Sequence, residues 1–279
     1  MWSWTGWTVA GVAVVVTAAT VLLTGGPAAT PGPGPTASLD ANASADRSTA
    51  AAQQPARPSR HPLRGLRVAL DPGHNGGNAS HPQQINRPVP DGRGGRKACN
   101  TVGTATVGGY PEHRLTWALA RRLKHLLRDR GAHVSVTRRS DHGVGPCVNR
   151  RGQWPQGHRA DVLVSIHANG STDRSVRGFH VIRSWPPLSR SQRTGSKKLA
   201  YSVRNTMRDR GFPTSPYGEH GIDKRSDLAT LNFARRPAVM VEVAEMRNRH
   251  QAAVLTSPHG RDRYARALLG ALRRWASHR

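Results

Sequence analysis

The sequence predicts an α/β fold for residues 64–279: a single domain whose mainly parallel, mixed sheet is flanked by helices on both faces. Three observations predict it. Short apolar stretches alternate with stretches of helical period from Gly65 onward. Two of them, residues 161–168 (DVLVSIHA) and 238–243 (AVMVEV), carry the near-continuous apolar run of a strand buried on both faces. Polar residues able to do chemistry stand at the ends of these stretches, where α/β folds place their sites.

In chain order, residues 67–71 (RVALD) read as a strand ending in Pro72-Gly73-His74. Residues 112–130 read as a helix. Leu115, Leu119, Leu123, Leu126 and Leu127 recur at helical spacing, Pro111 stands at the start, and Gly131 closes the run. Residues 133–137 are a second strand and 161–168 a third, with 178–183 a fourth. Residues 197–210 read as a helix, 238–243 as another buried strand, and 261–276 as a closing helix. No internal repeat is present.

The N-terminal part has a different texture. Residues 7–24 (WTVAGVAVVVTAATVLLT) are uncharged and apolar, and Gly25-Gly26-Pro27-Ala28-Ala29 follows. Residues 1–29 are therefore expected to be an export signal or an N-terminal membrane anchor. Residues 30–63, rich in Pro, Ala, Ser and Thr, read as a disordered tether. The 279 residues carry 42 Lys and Arg against 16 Asp and Glu, a net charge of +26. That excludes an acidic disordered tail, and 36% hydrophobic residues are enough for a folded core. Only five of the cations are Lys, so Arg dominates, an excess that a GC-rich genome would also produce. The charge favours polyanionic partners: nucleic acid, anionic lipid or acidic wall polymer. An export segment and the lack of any nucleic-acid motif argue against nucleic acid. The two cysteines, Cys99 and Cys147, are an even count in an exported chain and are expected to pair.

Glutamate is scarce, with only Glu112, Glu219, Glu242 and Glu245. Glu242 lies between Val241 and Val243, where a carboxylate is costly unless paired, protonated or facing a cleft. His74, His167 and Glu112 offer the two-His, one-carboxylate set of a catalytic zinc site, with Glu242 as a separate proton acceptor. Taken singly, each has a plain structural explanation among 14 histidines and at a helix start. HExxH is absent, which excludes the common helical metalloprotease plan.

Four blocks sharpen this. They are Leu70-Asp71-Pro72-Gly73-His74 with Gly76-Gly77, Tyr110-Pro111-Glu112, Ser165-Ile166-His167-Ala168-Asn169, and residues 237–242 (PAVMVE) followed by Asn248. Thr137-Arg138 and Ser226-Asp227-Leu228 fit weaker blocks. Together they resemble the zinc-dependent N-acetylmuramoyl-L-alanine amidases that act on peptidoglycan, over nearly all of residues 65–279. The long loop bearing Cys99, its partner Cys147 and Gly178-Phe179-His180-Val181 resemble the actinobacterial branch. The resemblance implies His74, Glu112 and His167 as ligands of one Zn2+ per chain and Glu242 as catalytic carboxylate. After Glu242 the chain departs from the family's pattern with Ala244-Glu245-Met246, which makes Glu245 the second choice for the base. Arg225, beside Ser226-Asp227, is a weak candidate for substrate binding.

The resemblance implies hydrolysis of the amide joining the lactyl group of N-acetylmuramic acid to L-alanine of the stem peptide. The expected partners are peptidoglycan or soluble muropeptide, with anionic wall polymers as further partners. Contact with the membrane is expected only through the N-terminal segment, and the protein is expected to be a monomer of the cell envelope or extracellular space. Two alternatives stay open from sequence: a non-catalytic basic module for anionic wall polymer, and a zinc peptidase cutting within the stem.

Overall fold

The computed structural model describes residues 62–279. The apolar run 7–24 and the tether up to residue 61 lie outside the described residues. Leu63, expected to end the tether, is buried, and its N–H donates to the Arg130 carbonyl at 3.0 Å. The folded body therefore already includes Leu63.

The chain runs β1 (Arg67–Pro72), α1 (Pro82–Asn86), β2 (Pro88–Pro90), β3 (Arg96–Ala98), α2 (Glu112–Arg128) and β4 (His133–Val136). It continues through α3 (Val148–Gly157), β5 (Val162–Asn169), β6 (His180–Ser184), a π-helical turn (Ser191–Ser196) and α4 (Lys197–Asp209). β7 (Ile222–Arg225), α5 (Ala229–Asn232), β8 (Ala238–Glu245), α6 (Arg249–Thr256) and α7 (Pro258–Ala276) complete it. Six strands form one sheet in the order β4-β1-β5-β8-β6-β7, and β2 and β3 form a separate hairpin. β4, β1, β5 and β8 are parallel, while β6 runs antiparallel to β8 and parallel to β7. The carboxyl ends of β1, β5 and β8 thus meet at one edge.

Alternation along the strands gives the sheet two different faces. Val68, Leu70, Val164, Ile166, Val239 and Val241 belong to the larger core with α2, α4 and α7. The leucine stripe of α2 (Leu115, Leu119, Leu123, Leu127) is completely buried there, each side chain contributing about 1.5–3 kcal/mol. α7 begins on Ser257, whose side chain accepts from the Gly260 N–H, with Pro258 in its first turn. Ala69, Leu163, Ile182 and Met240 face a smaller core with Leu231 of α5 and Trp154 of α3. Asp71, Ser165, His167 and Glu242 continue this second face at positions two apart along β1, β5 and β8. Apolar packing yields to polar chemistry where the face reaches the carboxyl edge.

The hairpin, β7 and the short helices α1, α3, α5 and α6 were not expected from the sequence. They are too short, or too interrupted by Pro and Gly, to give a periodic signal; α3, for example, contains Gly152 and Pro155. No helix among the described residues is long and apolar enough to cross a membrane.

Candidate active site

The turn after β1 aims the first histidine. His74 has a positive φ of 57°, unusual for a residue other than glycine, and two buried arginines hold it there. Arg151 donates to the carbonyls of Pro72 (2.7 Å) and His74 (2.9 Å), and to Asp71 Oδ1 at 2.9 Å. Arg138 donates to the Pro72 carbonyl at 3.1 Å and the His113 carbonyl at 2.7 Å. Burial acts against the Asp71 carboxylate. Arg151 and the hydroxyls of Thr137 (2.6 Å) and Ser165 (2.7 Å) outweigh it and hold Asp71 below the usual carboxylate range. These groups fix the backbone turn that aims His74.

Glu112 opens α2 and lies between two histidines. His74 Nε2 is 3.1 Å from Oε2, and His167 Nδ1 is 3.0 Å from Oε1. The N–H groups of Thr104 and Ala168 donate to the same two oxygens, each at 3.0 Å. Burial acts against the charged carboxylate, but the two histidines outweigh it and hold Glu112 far below its ordinary pKa. His74 Nδ1 donates to the Thr101 carbonyl at 2.9 Å. A neutral His74 then turns the lone pair of Nε2 toward a carboxylate oxygen, and two acceptors cannot rest so close unless positive charge lies between them. A second ring proton meets that need; burial opposes it, yet Glu112 still raises the pKa of His74. A divalent cation meets it equally well. One ligand atom from each of His74, Glu112 and His167 lies within 4.8 Å of the others, a donor set suited to zinc. The Thr101 carbonyl fixes the tautomer of His74, as outer partners do for metal-binding histidines.

Close packing at the centre is made possible by glycine. A Cβ on Gly73 would lie 2.3 Å from the His167 ring, and one on Gly103 would lie 2.8 Å from Glu112 Oε2. Gly103 also has φ +85°, a region that favours glycine. The loop carrying Thr101, Gly103 and Thr104 follows Cys99, which is disulfide-bonded to Cys147 just before α3.

A cavity of about 400 Å³ opens over these groups, lined by His74, Glu112, His167, Glu242, Lys97 and Asn169 among others. Glu242 pairs with His167 of β5 on one side and His180 of β6 on the other. Its Oε2 has no hydrogen-bond partner among the described residues. Burial, then repulsion from Glu112 and Glu245, raises its pKa well above the ordinary value, with Arg225 opposing. Glu245 is placed differently. A bulge between His167 and Asn169 shifts the register, so Glu245 pairs with Asn169 and does not line the cavity. Its carboxylate accepts from Asn169 Nδ2 at 2.7 Å and the Ser171 N–H at 3.0 Å. Glu245 is a buried anchor for the segment after β5.

Arg225 is likewise not among the cavity-lining residues. It is exposed at the end of β7, and both arms of its fork bind Asp227, at 2.8 and 2.6 Å. The cations that do line the cavity are Arg151, locked as described, and Lys97 of β3, whose Nζ donates to the Asp227 carbonyl. Lys97 had no motif around it to mark it; only the folding of the hairpin over the sheet edge brings it there.

The family described as N-acetylmuramoyl-L-alanine amidase (Amidase_3) matches residues 68–274. N-acetylmuramoyl-L-alanine amidase Rv3717 of Mycobacterium tuberculosis is 41% identical over 208 residues, 74% of this chain and 85% of the relative. The crystal structure of the N-acetylmuramyl-L-alanine amidase Ami1 of Mycobacterium smegmatis is 39% identical, with a TM-score of 0.75, covering 78% of this chain and 99% of that one. AmiC2 of Nostoc punctiforme, 22% identical with a TM-score of 0.58 over 77% of this chain and 98% of its own, shares the fold.

Proposed function

The chain belongs to the N-acetylmuramoyl-L-alanine amidase family, and from that premise we propose that His74, Glu112 and His167 hold one zinc ion and Glu242 is the general base of amide hydrolysis. The enzyme hydrolyses the amide between N-acetylmuramic acid and L-alanine in peptidoglycan, and so acts on the cell envelope. The observation that carries the residue assignment is the arrangement of a bridging carboxylate between two histidines, beside a cavity lined also by Glu242, whose Oε2 is unpartnered among the described residues. When bound, zinc supplies Lewis acidity, lowering the pKa of water toward about 7 and polarising the scissile carbonyl.

The protein's own groups do the rest. Glu112, made anionic by its neighbours and held by two backbone N–H groups, keeps both histidines in place. Glu242 Oε2 takes a proton from the attacking water and returns it to the amide nitrogen as the C–N bond breaks. The products are the lactyl carboxylate and the free amine of L-alanine. Glu245, satisfied by Asn169 and Ser171, leaves the role of base to Glu242. Lys97 is the cavity cation best placed to meet a stem-peptide carboxylate. Residues 1–29 direct export, and the segment from residue 30 up to the folded body tethers it.

Chelation is expected to stop release of L-alanine-terminated stems from purified peptidoglycan, and added zinc to restore it. Glu242→Gln should retain zinc while turnover falls by about 10²–10⁴-fold, the range of a lost general base. Full turnover in the exhaustively chelated enzyme would exclude the metal, and full turnover in Glu242→Gln would exclude the base.

A further inference from the structure

The catalytic cavity is smaller than a second hollow among the described residues. A groove of about 840 Å³ runs between α4, with the helical turn before it, and the end of α7. It lies on the α2, α4 and α7 side of the sheet, opposite the face that carries Glu242. Arg193, Lys197, Lys198 and Arg274 line it, and none of its lining residues is acidic. Arg274 is bonded to Asp209 at 3.0 Å. Arg193, Lys197 and Lys198 are exposed and make no ion pair among the described residues. Tyr201, 40% exposed, adds aromatic surface to the same groove, whose floor includes the buried Trp275.

We propose that this groove is a second binding site for peptidoglycan, taking the carboxylates of stem peptides other than the one in the catalytic cavity. The proposal rests on peptidoglycan being the substrate. Peptidoglycan presents carboxylate-bearing stems repeatedly along one polymer, so a chain bound in the groove holds neighbouring stems near the cleft at high effective concentration. Concave shape with cations on its walls suits an extended polymer segment rather than a flat lipid surface. A soluble fragment with a single stem cannot occupy both sites.

The test compares the full-length chain with Arg193→Gln/Lys197→Gln/Lys198→Gln and with Arg193→Lys/Lys197→Arg/Lys198→Arg. Pelleting with insoluble peptidoglycan reads the groove whatever happens to turnover; hydrolysis of a soluble muramoyl peptide reads the catalytic site. The Gln variant is expected to pellet about tenfold more weakly, a modest contribution from each of three exposed cations. Its rate on the soluble peptide should stay within about twofold of wild type, and the charge-preserving variant should pellet normally. Raising salt should weaken wild-type pelleting more than that of the Gln variant. Equal pelleting of the Gln variant and wild type would overturn the proposal. So would equal losses on polymer and soluble peptide, which would place these side chains in the fold. Lost pelleting with phosphatidylglycerol vesicles but unchanged pelleting with peptidoglycan would assign the groove to lipid instead. Absence of hydrolysis by wild type, with pelleting intact and groove-dependent, would count against the amidase reading and for the groove.

Discussion

Gly73→Ala tests the centre of the site with one methyl group. A Cβ there would lie 2.3 Å from Cε1, 2.5 Å from Nε2 and 2.6 Å from Nδ1 of the His167 ring. Ordinary contact begins at 3.4 Å, so ring and backbone must separate by 1.1 Å. Gly73 is poorly able to yield. Its N–H donates to the Ile166 carbonyl at 2.9 Å, and its carbonyl accepts from the Thr116 hydroxyl at 2.8 Å. His167 must therefore move and lose its 3.0 Å contact with Glu112. A misplacement of about 1 Å at a catalytic centre costs on the order of 10²-fold in rate. Metal affinity should fall about 10–100-fold, the cost seen when a ligand's orientation is lost. The assay is zinc per chain after dialysis alongside the rate of amide hydrolysis, with circular dichroism to establish that the variant is folded. A folded Gly73→Ala enzyme with wild-type zinc content and a rate within about threefold of wild type would refute the reasoning.

Other outcomes follow from the same structure. Glu245→Ala removes the acceptor for Asn169 and Ser171 and should lower stability by about 1–3 kcal/mol in urea unfolding. It should leave much more turnover per folded molecule than Glu242→Gln, and the reverse order would exchange their roles. His180 is held down from 6.5 to about 4 by burial and then by Arg225. The unfolded chain therefore binds this proton first as pH falls. The stability is fully present above about 6.5 and is lost as pH drops toward 4, roughly 3 kcal/mol in all. His180→Gln should flatten that acid loss between pH 7.5 and 4.5, and an unchanged pH dependence would exclude His180 as its source. The Cys99–Cys147 bond closes a loop spanning 48 positions, so Cys99→Ser/Cys147→Ser should cost up to roughly 4 kcal/mol, read as a lower Tm. An unchanged Tm would show that the loop is held by its other contacts.

Much of the fold was legible in the residues. The leucine spacing from 115 to 127 specified α2, and the apolar runs at β5 and β8 marked buried strands, because both periods follow directly from backbone geometry. His74, His167 and Glu242 stood out because polar residues at the ends of apolar strands need a reason, and Glu112 because it is one of only four glutamates and opens a helix. The second carboxylate was harder. Glu242 and Glu245 are three apart in sequence, and strand alternation alone would send them to opposite faces. A bulge in β8, three steps from Glu242 to Glu245 against two from His167 to Asn169, brings Glu245 beside Asn169, where Asn169 and Ser171 engage its carboxylate while Glu242 faces the cavity. Arg225 shows the converse. Its place beside a family block suggested substrate, but a carboxylate two residues away occupies its fork.

The sequence by itself determined the order of the main strands and long helices, the chemical types at the site and the positive charge, since these depend on local periodicity and composition. Tertiary structure alone decided which groups meet. It brought Arg151 and Arg138 beneath the His74 turn, carried Lys97 over the sheet edge, gave Gly73 its contact with the His167 ring, and set unpaired cations along the α4–α7 groove. The physical reason is separation along the chain. Arg151 lies 77 residues from the His74 carbonyl it holds, and no local pattern carries information across such a span.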